Sequence, residues 1–170
     1  MKRIKSNVIY AVVAALGIWN FIMLAFNYYA ISMGFFNIKF NGYNVFDLSG
    51  GGFSATMCII FQALILALGI VMLAWGTVGL LKGFGVIKDF SKKLEKLFGK
   101  KVGEIFVLVL AVLNVLLMVF LIIFVSQNKD VGCKLRAGVF FAIIIPAVTY
   151  VMVKLFVKKE DTVKEEKTEE

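Results

Sequence analysis

Four apolar runs, at about 8–31, 54–81, 102–125 and 137–157, take up most of this 170-residue chain. Each supplies the ~20 apolar residues that about 30 Å of hydrocarbon requires. A segment in lipid must satisfy its backbone polar groups internally, so runs of this length are expected as helices. The fold class that follows is an all-α membrane protein, a four-helix transmembrane bundle over residues 1–157. The remaining 158–170, with six acids, four lysines and no aromatic residue, read as a disordered charged tail. The first run follows Lys2, Arg3 and Lys5 and outlasts the ~7–15-residue core of a signal peptide. A retained span is therefore expected, despite the loose cleavage match at Ala30-Ile31-Ser32.

Charge sets the expected orientation. The N-terminal segment, the stretch 82–101 and the C-terminal segment hold fifteen of the basic residues, against four (Lys39, Lys129, Lys134 and Arg136) on the other side. Cytoplasmic segments carry the excess of Lys and Arg, so both termini are expected in the cytoplasm. The net charge of +8 is not read as a nucleic-acid signal, which needs a basic face on a soluble domain. It lies at the ends of apolar runs, where anionic lipid at the cytoplasmic face attracts it. Seventeen lysines against two arginines fit the composition of an AT-rich bacterial genome, and hence a bacterial plasma membrane.

Residues 82–101 alone carry seven lysines. Within them Val86, Ile87, Phe90, Leu94, Leu97 and Phe98 recur at the three-and-four spacing of one helical face. Lys88, Lys92, Lys93 and Lys96 fill the opposite face. A cytoplasmic amphipathic helix over 86–98 is expected in the headgroup region, where it anchors the bundle or offers a membrane-surface or partner-docking face. On the other side, Phe36-Asn-Ile-Lys-Phe40 and Tyr43-Asn-Val-Phe-Asp47 flank Asn41-Gly42. Alternating runs joined by Asn-Gly predict an extracytoplasmic β-hairpin over 36–47 with a type I′ turn, which needs positive φ at both central positions. Tyr43 and Val45 are its expected cross-strand partners, and Tyr28, Tyr29 and Phe53 fit the outer interface belt.

The chemistry of the chain is sparse. It has no histidine, and Cys58 and Cys133 form no CxxC motif, so no metal, haem or other cofactor is expected. Both cysteines fall on the outer half, where a disulfide is one alternative. No nucleophile, base and electrophile come together as a catalytic set, and no ionisable side chain lies deep in any run. Charged groups there mark proton relays and ion sites. What remains is neutral: Asn20, Asn27, Gln62 and Asn114, either interhelical hydrogen bonders or lining for a polar path. Asn27, seven residues after Asn20, is expected on the same helical face. Gly138, Ala142 and Pro146 share one spacing in the last run, and Ala63–Ala67 and Gly69–Gly76 recur in the second. Small residues of this kind let helices approach closely, and Pro146 should kink its helix.

Four spans with both ends inside, a hairpin after the first and a short second outer loop resemble the claudin and peripheral-myelin-type layout. Residues 34–53 hold neither Trp nor Cys, so the resemblance extends to topology and carries over no functional residue. The segment Gly42 to Phe46-Asp47-Leu48 is also similar to outer loops of small bacterial four-span proteins. The function expected is that of a non-catalytic accessory or scaffold protein, forming a homo- or hetero-oligomer with membrane proteins. The alternative is a small oligomeric channel lined by neutral polar residues.

Overall fold

The structure is a computed structural model, and it describes residues 2–33, 35–48, 51–87 and 99–166. Most of the described chain is helical: α1 (Lys2–Met23), α2 (Gly52–Gly83), α3 (Lys100–Gln127) and α4 (Ala137–Glu166). Three helices are long and apolar enough to cross a membrane, namely α2, α3 and the Ala137–Leu155 part of α4, as expected of an integral membrane protein. The apolar part of α1, Asn7–Met23, is shorter. At ~1.5 Å per residue it reaches about 25 Å.

Where the first run was expected to stay helical to residue 31, the chain turns at Leu24–Phe26 and becomes strand β1 (Asn27–Met33). Hydropathy does not separate a buried strand from the last turns of a helix, and the Tyr-Tyr-Ala-Ile sequence suits a strand. β1 is the centre of a three-stranded antiparallel sheet, flanked by β2 (Phe36–Asn41) and β3 (Cys133–Leu135). Its register sets Ile31 opposite Ile38 and Cys133, and Tyr29 opposite Phe40 and Leu135. Tyr28, Tyr29 and Ala30 are buried there, so the two tyrosines are core residues rather than an interface belt.

The hairpin expected over 36–47 does not form, although its first half, 36–41, is a strand. β2 pairs with β1, and Tyr43–Asp47 winds into a 3-10 turn. Asn41 and Gly42 do not form a type I′ turn, because Gly42 sits at φ −62° and ψ −27°, in the right-handed region. The Asn41 carboxamide oxygen accepts from the backbone N–H of Tyr43 and Asn44 at 3.0 and 3.3 Å, and the Asn44 oxygen accepts from the Asn41 N–H at 3.0 Å. Those side-chain bonds give the backbone a helical alternative to a strand. Gly42 is needed for another reason: a Cβ there would lie 2.9 Å from the Leu24 Cα. Val45, expected to pair across the hairpin, is instead buried in the 3-10 turn.

The core runs from this sheet down the bundle. Tyr29 stacks on Phe40 with ring centroids 4.7 Å apart and meets Phe124 of α3 edge-on at 5.9 Å. The Ser54 hydroxyl, donating to Gln127 at 2.6 Å, ties α2 to α3 at the sheet end. At the opposite end Trp75 contacts Tyr10 at 4.9 Å and Phe106 at 5.6 Å, joining α1, α2 and α3. α1 lies antiparallel on α2 at backbone distance. A Cβ on Gly76 would stand 2.6 Å from the Tyr10 carbonyl oxygen. The Ala63–Ala67 stripe of α2 faces outward instead.

α4 runs through Pro146 and on to Glu166, past the residue 158 at which a tail without structure was expected. The residues Lys158-Lys-Glu-Asp-Thr-Val-Lys-Glu-Glu166 are largely helix formers, which lets the backbone continue. Most of the amphipathic segment, 88–98, lies outside the described residues, as does 167–170. The α1–α2 contact gives a direct test. Gly76→Leu is expected to destabilise the protein by ~1–3 kcal/mol through overpacking. Ala63→Leu, on the outward face, should leave thermal unfolding in detergent unchanged.

Candidate functional site

β1 is paired on both sides, which leaves β2 and β3 as the edges of the sheet. β3 is only three residues long. β2 is longer and presents apolar side chains outside the bundle: Phe36 is 77% exposed and Ile38 47%, beside a fully exposed Phe35. Tyr43 is also more than half exposed. A free edge with a row of unpaired N–H and C=O groups is a template for another chain unless charge or proline blunts it. β2 has one charge, Lys39, and no proline.

The polar residues of the helices are placed differently. Asn20, Gln62 and Asn114 are all buried, at 5%, 1% and 3% exposure. Asn20 packs against Gly69, where a Cβ would be 3.1 Å from its amide nitrogen. No hydrogen bond joins Asn20 to Asn114: the Asn114 amide donates to the Leu110 carbonyl of its own helix at 2.9 Å. The Asn20 amide nitrogen and the Gln62 carboxamide oxygen have no partner. Asn27 is separated from these three, because α1 ends at Met23 and Asn27 opens β1, exposed. The shared face expected for Asn20 and Asn27 requires a helix that is not there.

Gly138, Ala142 and Pro146 are buried in α4. A Cβ on Gly138 would lie 2.4 Å from the Asn27 carbonyl oxygen, so the start of α4 abuts the start of β1. Lys88, Lys92, Lys93 and Lys96 lie outside the described residues. Two features were not drawn from the sequence. An apolar groove of about 400 Å³ separates α1 from α4, lined by Val8, Val12, Leu16, Trp19, Ile145 and Met152. A second hollow of about 240 Å³ lies where β2 meets the start of α4. Trp19, four residues before the end of α1, places its indole N–H unpartnered beside the groove.

Cys58 and Cys133 are free and buried. Burial pushes the Cys133 thiol up from its ordinary value and the Tyr29 phenol up to about 12. Among the described residues no group of His, Cys, Asp or Glu is placed to hold a metal ion. No protein-family model, no curated protein and no solved structure matches this chain.

Two outcomes follow. Gln62→Met removes an unpaired buried acceptor at nearly constant volume, and is expected to stabilise the protein by about 1 kcal/mol in thermal unfolding. Cys133, buried and held protonated, should resist iodoacetamide at pH 8 in the native protein. Labelling followed by mass spectrometry should show its alkylation still rising above pH 9, and two labelled thiols after denaturation.

Proposed function

We propose that this is a non-catalytic integral membrane protein that docks another membrane protein, or a second copy of itself, through its sheet end. The unpaired β2 edge with exposed Phe35, Phe36 and Ile38 carries the reading. An added strand would gain main-chain hydrogen bonds along that edge, while the alternating side chains supply specificity. Aromatic anchors at such a surface are the residues that commonly dominate binding.

The placement rests on four spans with both termini in the cytoplasm, α1 serving as the fourth. Its 22 residues measure about 33 Å as a helix, and its first turn holds Lys2, Arg3 and Lys5. The imbalance of fifteen basic residues to four then sets the sheet on the far side of a plasma membrane. An oligomeric channel draws on Asn20, Gln62 and Asn114. All three are buried within one chain rather than on a surface that several copies would enclose, which favours docking.

Native mass spectrometry of the protein extracted in mild detergent from its own membrane is the test. A second polypeptide, or a dimer, is expected at fixed stoichiometry. Phe36→Asp should weaken that association at least ~tenfold without shifting the unfolding midpoint, since the side chain is largely exposed. A bare monomer from wild-type membranes would overturn the proposal.

A further inference from the structure

The hollow of about 240 Å³ at the sheet end carries charged lining, unlike the apolar groove between α1 and α4. The loop after α1, strand β2 and the start of α4 meet there, and its lining includes Phe26, Lys39, Arg136, Gly138 and Phe141. Both charged residues of the lining are cations. Two of the four basic residues on this side of the chain thus converge, with no carboxylate among the lining residues.

Arg136 is the telling member. Its backbone N–H donates to the Tyr28 carbonyl at 2.9 Å, which fixes the residue between β1 and α4. Its side-chain Nε is buried and has no hydrogen-bond partner. An N–H taken out of water without an acceptor is costly, more so on a charged group. A guanidinium also presents its donors in a fork that matches a phosphate. The first N–H groups of α4 have no acceptor within the helix, and the helix dipole adds partial positive charge at that end.

The depth of the hollow narrows the ligand. α4 turns apolar enough to enter hydrocarbon from Ala137, the residue next to Arg136. The cations therefore lie at headgroup level. Phe26 and Phe141, 42% and 48% exposed, form apolar walls beside them. A phosphodiester joined to an acyl chain meets both demands at once.

We propose that Lys39 and Arg136 form a phosphate-binding site at the membrane interface on the sheet side, filled by the phosphate of an anionic phospholipid or by soluble phosphate. Purified protein is incubated with phosphatidylglycerol or phosphatidylcholine and weighed by native mass spectrometry; in parallel, thermal unfolding is followed with inorganic phosphate. One phosphatidylglycerol is expected to be retained in preference to phosphatidylcholine. Lys39→Ala, a change at an exposed position, should lower that occupancy about fivefold per charge lost. Lys129→Ala, equally exposed but outside the hollow, should leave it unchanged. Arg136→Lys keeps the charge and loses the fork, so retention should fall while the fold is preserved. If no lipid is retained but inorganic phosphate raises the wild-type midpoint and not that of Lys39→Ala, the source is soluble phosphate. Equal retention in Lys39→Ala and Lys129→Ala with no phosphate effect, or no response to either probe, would overturn the site.

Discussion

Every backbone N–H and C=O near the hydrocarbon boundary needs a partner, and β1 meets that demand in an unusual place. It follows an apolar helix after a three-residue turn, and its Tyr28, Tyr29 and Ala30 are buried. Leaving the helix there would strand their polar backbone groups without pairing on both sides. β2 supplies one side and β3, brought from the far end of α3, supplies the other. The sheet therefore closes the sheet end of the bundle. Its inner face, Tyr29 with Phe40 and Leu135, rests on Phe124. The pairing of β1 with β3 also positions Arg136 beside Tyr28, and so forms the hollow at the start of α4.

Below the sheet the packing follows from small side chains. Glycines on α1 and α2 bring the two backbones together, and Trp75 anchors the opposite end against Tyr10 and Phe106. α1 has no comparable contact with α4, and the apolar groove between them is the consequence. The buried amides are not a network. Asn114 is satisfied within its own helix, while Asn20 and Gln62 keep unpaired atoms. An arrangement of this kind gives little to a continuous polar path. Among the described residues, an apolar strand edge on β2 and a basic hollow lie together at the sheet end.

Much of this was legible from residue order. The three long apolar helices, the paucity of charge within them and the role of Gly69 and Gly76 as close-approach points follow from hydropathy and spacing. The strand potential of 36–40 was also visible in its alternation. The partner of that strand was not, because Asn41-Gly42 carries two local meanings, a tight hairpin turn or the start of a helical turn. The hydrogen bonds of Asn41 and Asn44 select the second. The candidate site was half visible in the same way: Phe36, Ile38 and Lys39 could be placed on an outer strand, but not that Lys39 would line one hollow with Arg136.

The sequence determined the class of molecule, since runs of this length and apolarity are compatible with few solvents other than lipid. It also determined which helix faces could come close, since only small side chains permit it. The tertiary structure decided where the first helix ends, which strand lies at the centre of the sheet and which side chains share a surface. Those outcomes depend on residues far apart in the chain coming together, such as Ile31 pairing with Cys133 or Lys39 and Arg136 lining one hollow. Local propensity and hydropathy report only on the solvent and the neighbours a residue has along the chain, so they do not encode such contacts one residue at a time.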